Sequence, residues 1–298
     1  MTDLTRYAAR RLARTEFLQL RGLRHRLLHW GPPDAAPLIL LHGWADTADP
    51  FQFLVDELPE YWSCAALDWR GFGGSDWSPG GYWFPDYYAD LDALLEQLSP
   101  AAPARIVGHS MGGRIALTYS GIRPERVARV ASLEGVGMPR REPTEAPGRL
   151  AQWLKQLREP PQHGGYRDYA ALAERLRSKH PRLPPARARF LAESRAEPDP
   201  AGGLRLRMDP AHHRVNPVLN RNEEDAACWR RITAPALLVL GGESDLTDRL
   251  GPDVGPGPIA ACVRDLRVVT VPEAGHMLHY EQPRAVAALL REFLGDPR

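Results

Sequence analysis

Hydrophobic residues fall along the chain in short, solidly apolar runs separated by stretches with helical spacing. Such a run, bounded by proline or glycine, is typical of a strand buried on both faces of a sheet. Six runs fit this description: residues 37–42, 64–69, 105–109, 127–134, 236–240 and 266–271. Three stretches between or after them have helical spacing: 87–98, 111–121 and 284–294. Residues 16–20 and 24–30 flank Gly22 and predict a leading antiparallel hairpin. Strands that alternate with helices predict an α/β fold with a doubly wound, mostly parallel sheet.

The alternation breaks between residues 139 and 231, where proline and arginine are dense and no comparable buried strand appears. Helical spacing continues there in three stretches: 150–157, 169–176 and 186–196. Long insertions of this kind commonly act as lids over an active site. We therefore expect 1–138 and 232–298 to form the α/β core, and 139–231 to form a helical cap or lid.

The charge of the 298-residue chain is nearly balanced but unevenly placed. The total is +1, from 38 Lys+Arg against 37 Asp+Glu, which argues against bulk electrostatic binding of nucleic acid. Residues 27–139 hold 6 cations and 14 anions, whereas 140–231 hold 19 and 12. Two interpretations stay open. The basic block and the acidic core attract each other across their seam, or arginines of the block guide an anionic substrate.

Three cysteines, Cys64, Cys228 and Cys262, lie far apart and match neither a metal-ligand spacing nor a disulfide framework. The cysteines predict no metal, and a reduced, cytoplasmic protein fits their pattern best. The first residues lack the apolar stretch of a secretory signal. No apolar run approaches 18 residues, so no transmembrane segment is expected.

The sequence GHSMG at residues 108–112 has the G-x-S-x-G pattern and lies between a predicted strand and a predicted helix. This is the setting of a nucleophile elbow, a turn so sharp that the residues beside the serine must be small. Gly108 and Gly112 meet that requirement, and the turn would expose the hydroxyl of Ser110. A serine hydroxyl needs an adjacent base to act as a nucleophile at neutral pH.

Several motifs together make the chain similar to the α/β-hydrolase fold superfamily, from about residue 37 to the C-terminus outside the insertion. The motifs are the elbow at 108–113, His42-Gly43-Trp44, the DWRGFGGS loop at 68–75, the GESD loop at 242–245, Gly275-His276-Met277 and Glu281-Gln282-Pro283. They occur in the order that the family shows, with the serine first, then an acid, then the histidine. The resemblance implies an enzyme that needs no cofactor.

The resemblance assigns a catalytic role to each motif. Ser110 is expected to be the nucleophile and His276 the base that takes its proton. Asp245, just after the apolar run at 236–240, is our first choice for the carboxylate that supports the histidine. Glu134, at the end of the run at 127–134, is the alternative, since some members of the superfamily carry their acid there.

The backbone amides of Met111 and Trp44 are expected to form the oxyanion hole. A cluster of aromatic residues near the elbow and in the insertion suggests an apolar or aromatic acyl substrate, although core packing explains the cluster nearly as well. Its members are Trp77, Tyr82, Trp83, Phe84, Tyr87, Tyr88 and Trp153. We expect a serine hydrolase that cleaves an ester or related acyl bond. The alternatives are an acyltransferase, a thioesterase, a C–C bond hydrolase and, from another class, a non-catalytic ligand-binding homologue.

Overall fold

The computed structural model describes residues 6–162, 164–251 and 254–295. Its strands are β1 (Arg14–Leu20), β2 (Leu23–Trp30), β3 (Leu38–Leu41), β4 (Cys64–Leu67), β5 (Ala104–His109), β6 (Val127–Leu133), β7 (Ala196–Pro198), β8 (Leu204–Leu206), β9 (Ala236–Gly241) and β10 (Leu266–Val271). Its α-helices are α1 (Gln52–Val55), α2 (Phe84–Leu98), α3 (Met111–Ile122), α4 (Ala146–Arg158), α5 (Tyr169–Lys179), α6 (Pro185–Arg195), α7 (Asn222–Trp229), α8 (Leu246–Leu250), α9 (Pro256–Ala260), α10 (Leu278–Glu281) and α11 (Pro283–Leu294).

Eight strands form one sheet in the order β1-β2-β4-β3-β5-β6-β9-β10. The hairpin β1–β2 is antiparallel, β2 pairs antiparallel with β4, and the pairs from β4 to β10 are parallel. The prediction of a mostly parallel α/β sheet is therefore confirmed. All six apolar runs and the leading hairpin lie in strands of this sheet.

Alternate residues of the central strands face two separate cores. In β3, Ile39 and Leu41 pack into the core that holds α2, α3 and the end of α7. Leu38 and Leu40 face the opposite side, where α1, α10 and α11 pack. All four leucine and isoleucine side chains are fully buried. Burial on both faces explains why the sequence shows a solid apolar run here instead of an alternating pattern.

The segment between β6 and β9 contains α4 to α7 and the two-stranded sheet of β7 and β8. The three helical stretches predicted there correspond to α4, α5 and α6. Helices α5 and α6 share a small core with Phe53, Met277 and Tyr280 of the rest of the chain. The sequence pattern did not predict α7. This helix packs against α3, and its Trp229 is buried in the core that contains α2 and α3. Among the described helices, none is long and apolar enough to cross a membrane.

Candidate active site

Ser110 lies at a sharp turn between the end of β5 and the start of α3. Its backbone has φ 51° and ψ −116°, a conformation that residues with a side chain rarely adopt. A Cβ on Gly108 would lie 2.2 Å from the carbonyl oxygen of Gly112, and one on Gly112 would lie 2.2 Å from that of Leu41. Only glycine therefore allows the strand and the helix to approach so closely. The strained turn and the two glycines place the side chain of Ser110 just beyond the end of the sheet.

A chain of two hydrogen bonds links Ser110, His276 and Glu134. The Oγ atom of Ser110 lies 3.0 Å from Nε2 of His276, and Nδ1 of His276 lies 3.1 Å from Oε2 of Glu134. A carboxylate only accepts hydrogen bonds, so Nδ1 carries the proton. Nε2 is then unprotonated and accepts the hydrogen bond of the serine hydroxyl. This tautomer is the one that a general base requires.

Glu134 follows the last residue of β6 and is nearly inaccessible to solvent, with a side chain that is 3% exposed. Its Oε1 accepts a hydrogen bond from the backbone amide of Gly241 at 2.6 Å, and its Oε2 accepts one from the hydroxyl of Ser244 at 2.5 Å. These donors replace the water that the buried carboxylate has lost. The backbone of Glu134, with φ 56°, is one of five non-glycine positions with positive φ among the described residues.

The structure does not bring Asp245, our first choice from the sequence, to His276. The side chain of Asp245 is 68% exposed and pairs with Arg249 one turn along α8. The loop at 242–245, which the motif assigns to the acid, instead contributes the hydroxyl of Ser244 to the carboxylate of Glu134. Strands β6 and β9 are parallel neighbours, so Glu134 and this loop lie at the same edge of the sheet. The alternative position for the acid, Glu134, is therefore the one that the structure brings to the histidine.

The two amides expected in the oxyanion hole lie near the serine. Met111 is the first residue of α3, where backbone amides have no partner within the helix. Trp44 follows β3, the strand that pairs with β5, and its side chain is half-exposed. A Cβ on Gly43, the residue before it, would lie 3.1 Å from the Cβ of Ser110, so this loop passes directly beside Ser110.

Two buried histidines hold the loops around the serine. His42 accepts a hydrogen bond from the amide of Trp69 at Nε2 and donates one from Nδ1 to the carbonyl of Gly43, which fixes the Trp44 loop. His109 lies 2.9 Å through Nε2 from the carbonyl oxygen of His276 and donates to it. Burial lowers the pKa of both rings, so both are neutral at pH 7. Their roles are to position other residues.

A buried ion pair ties the 139–231 segment to the core beside this site. Arg195, the last residue of α6, donates to Oδ1 of Asp46 from Nε at 3.0 Å and from Nη2 at 2.7 Å. Tyr280 donates to the other carboxylate oxygen of Asp46. Asp46, His109 and His279 place potential metal ligands within 4.8 Å of one another. The guanidinium on Asp46 opposes a cation there, because it already neutralises the only carboxylate of the three.

Replacing Arg195 by methionine should lower the free energy of unfolding by about 3 kcal/mol, because it leaves the Asp46 carboxylate buried without its counterion. Arg205→Met is the matched control: Arg205 pairs with Glu197 at the surface and is half-exposed, so we expect a loss below about 1 kcal/mol. Urea denaturation followed by circular dichroism gives both values. Equal losses in the two variants would contradict the importance of the buried pair.

The ionisation of Asp46 in this ion pair makes the free energy of unfolding depend on pH. Burial alone would raise the pKa of Asp46, but Arg195 and the neighbouring donors hold it below its ordinary value. In the unfolded chain the pKa of such a carboxyl group is about 3.9. A group whose pKa is lower than this in the folded protein stabilises the folded protein at pH values above the unfolded pKa. That contribution should be lost only as the pH falls below this value.

A cavity of about 470 Å³ opens in front of Ser110. Its walls come from both the core and the 139–231 segment, and they include six aromatic side chains: Trp44, Tyr82, Trp83, Phe84, Tyr87 and Trp153. Trp77 and Tyr88, which the sequence groups with them, do not line this cavity; Trp77 is half-exposed instead. The cavity is therefore a largely apolar chamber with the serine and the carboxylate of Glu134 in its wall.

The sequence model of the alpha/beta hydrolase fold matches residues 36–283. The chain belongs to this family. The motifs by which the sequence resembled this family, from His42-Gly43-Trp44 to Glu281-Gln282-Pro283, all lie within the matched residues. Several relatives of this α/β hydrolase are named as hydrolases or esterases, so it belongs to a family of enzymes.

Individual relatives cover nearly the whole of this α/β hydrolase. A serine hydrolase-like protein of Danio rerio is 30% identical over an alignment of 276 residues that covers 89% of this chain and 83% of that protein. A 2-(acetamidomethylene)succinate hydrolase of Mesorhizobium japonicum is 28% identical over an alignment of 264 residues that covers 87% of this chain and 88% of that protein. Among solved structures, the thioesterase domain from the curacin biosynthetic pathway superposes with a TM-score of 0.80 at 26% identity and covers 94% of this chain and 99% of that one.

Proposed function

We propose that the protein is a serine hydrolase that cleaves an ester or thioester through a triad of Ser110, His276 and Glu134. The observation that carries the proposal is the continuous hydrogen-bonded chain from the serine hydroxyl to a buried carboxylate, at the wall of a largely apolar cavity. An alternative without catalysis, a ligand-binding homologue, gives no reason for a strained serine beside an unprotonated imidazole nitrogen.

The first half of the reaction transfers the acyl group to the enzyme. Ser110 attacks the carbonyl carbon while Nε2 of His276 takes the hydroxyl proton. The new imidazolium is stabilised by the carboxylate of Glu134, which stays ionised. The amides of Trp44 and Met111 donate to the oxyanion of the tetrahedral intermediate. His276 then gives its proton to the departing alcohol or thiol, which leaves an ester of Ser110.

The second half repeats the same steps with water. His276 takes a proton from the water molecule as it attacks the acyl-enzyme, and returns the proton to Oγ of Ser110 as the acid leaves. An alcohol in place of water would make the enzyme an acyltransferase. We further propose that the 139–231 segment acts as a cap, since its residues form one wall of the cavity, and that the substrate carries an apolar acyl chain.

Hydrolysis of 4-nitrophenyl esters with acyl chains of two to eight carbons, and of the matching thioesters, tests this function. We expect saturable hydrolysis, with kcat/KM rising about threefold to fourfold for each methylene until the cavity is filled, since each buried CH₂ contributes about 0.8 kcal/mol. Activity confined to the thioesters would make the protein a thioesterase. A new ester as the main product after addition of an alcohol would make it an acyltransferase. No turnover in either series would overturn the proposal.

A further inference from the structure

The catalytic cavity contains two guanidinium groups that the proposed reaction does not use. Arg114 comes from α3, one turn after Ser110, and Arg214 comes from the 139–231 segment. Among the residues that the structure describes, Glu134 is the one carboxylate in the wall, and its oxygens already accept hydrogen bonds from His276, Gly241 and Ser244. The wall is therefore richer in positive than in negative charge.

Arg114 has its own counterion. Its Nη2 lies 2.7 Å from the carboxylate of Asp225, and the side chains of both residues are almost fully buried. The same nitrogen donates to the side chain of Asn220, and the guanidinium carbon lies 4.2 Å from the centre of the Phe84 ring. A second anion on Arg114 would be repelled by Asp225. The Nε and Nη1 atoms of Arg114 are buried without a hydrogen-bond partner, but the charge of this guanidinium is already neutralised by Asp225. Arg114 therefore connects α3 to the 139–231 segment.

Arg214 has no such counterion: within the part of the chain that the structure describes, no carboxylate lies within 4.0 Å of its guanidinium. Its Nε is buried and has no hydrogen-bond partner. Some other arginines of the same segment have a carboxylate partner, for example Arg195 with Asp46 and Arg205 with Glu197. A buried donor without a partner is costly and rare in folded proteins. Such a group is suited to an acceptor that a ligand brings.

The backbone around Arg214 is held from both sides. The amide of Val215 donates to the side chain of Gln156 at 2.7 Å, and the next carbonyl, that of Asn216, accepts from Arg149 at 2.8 Å. Both partners lie on α4, so this helix fixes the loop that carries Arg214. The neighbouring His212 also lines the cavity, but burial lowers its pKa to about 3, so its ring is neutral at pH 7. The positive charge on this side of the cavity is therefore that of Arg214.

We propose that Arg214 binds a carboxylate on the acyl portion of the substrate, so that the enzyme prefers half-esters of dicarboxylic acids to esters of monocarboxylic acids. The inference rests on the proposed hydrolase function. A planar guanidinium group can donate two parallel hydrogen bonds to the two oxygens of a planar carboxylate. The apolar walls hold the methylene chain between the bound carboxylate and the carbonyl that Ser110 attacks.

The test compares the monomethyl esters of succinic, glutaric and adipic acids with the methyl esters of butanoic, pentanoic and hexanoic acids. Each pair has the same chain length and differs by one carboxylate. We expect the wild type to show the higher kcat/KM for the anionic member of at least one pair. In Arg214→Met the ratio of the two values should fall by about 10- to 100-fold, the usual effect of losing a hydrogen bond to a charged group. Arg214→Lys should restore part of it.

Arg177→Met is the matched control, because Arg177 is exposed on α5 and does not line the cavity. It removes the same charge from the same segment and should leave the ratio unchanged. If Arg214→Met fails to fold, the same ratio of kcat/KM values is measured in Arg214→Gln. A ratio that Arg214 variants leave unchanged, with neutral esters still hydrolysed, overturns this inference and leaves the hydrolase function standing. A wild type that hydrolyses the 4-nitrophenyl esters or the thioesters but neither member of any pair overturns this inference alone, and a wild type that hydrolyses none of these substrates overturns both.

Discussion

Replacing Ser110 by alanine should lower kcat for ester hydrolysis by about 10⁴-fold or more, because the reaction loses its nucleophile. What remains is the rate that the oxyanion hole and substrate binding support without the serine. The backbone strain at position 110 should persist, since alanine and serine both carry a Cβ at φ 51°. The fold should therefore survive, which circular dichroism and thermal unfolding of the variant would measure.

Ser120→Ala is the matched control for this experiment. Ser120 lies on the same helix, is 1% exposed, and its hydroxyl donates to the carbonyl of Ala116 at 2.7 Å. It is a buried serine with no contact to the cavity, so kcat should be unchanged. A fluorophosphonate probe should label the wild type and Ser120→Ala at Ser110, and should not label Ser110→Ala. Retention of more than a tenth of the wild-type kcat by Ser110→Ala would contradict the proposed nucleophile.

Replacing Glu134 by glutamine should lower kcat by about 10²- to 10⁴-fold, by analogy with the loss of the acid in other triads. Glutamine cannot stabilise the imidazolium that forms during catalysis. Its amide nitrogen can also donate to Nδ1 of His276 and so favour the tautomer that cannot accept the serine proton. Its amide oxygen can still accept from the amide of Gly241, so the loss should fall on kcat more than on stability.

Asp245→Asn separates the two candidate acids. It removes one carboxylate charge at the same edge of the sheet, from an exposed side chain that pairs with Arg249. We expect kcat within about twofold of the wild type, as for most exposed substitutions away from a site. If Asp245→Asn lowered kcat by orders of magnitude and Glu134→Gln did not, the interpretation from the sequence motif would be right and the contact between His276 and Glu134 would have no catalytic role.

The elements of the core could be predicted because their signals are local. A strand buried on both faces needs a short apolar run, and residues 38–41 form one that lies fully inside the sheet. The elbow needs glycine on both sides of Ser110, and the reason is contact within one turn of chain. The helix α7 was missed because the first half of its eight residues is polar and only Asp225 and Trp229 are buried, so it shows no apolar helical spacing.

Two features of the site depend on residues that are distant in sequence. Arg195 and Asp46 are 149 residues apart, and nothing in the local pattern of either one marks it as the partner of the other. Arg214 is one of many arginines in a basic segment, and its lack of a counterion is visible only once the carboxylates around it are placed. The sequence shows how many charged residues such a segment has. Which of them can bind a ligand depends on burial and on ion pairing in the folded protein.

The sequence by itself determined the family and the strands of the sheet and indicated the serine and the histidine as candidates, because each of these signals follows from short-range sterics or from a compact motif. Only the tertiary structure decided which carboxylate meets His276, since Glu134 lies 142 residues away from it. That contact depends on the parallel register of β6 and β9, which brings the end of β6 beside the loop after β9. In the same register, the side chain of Asp245 is exposed to solvent, and the hydroxyl of Ser244 donates a hydrogen bond to the carboxylate of Glu134.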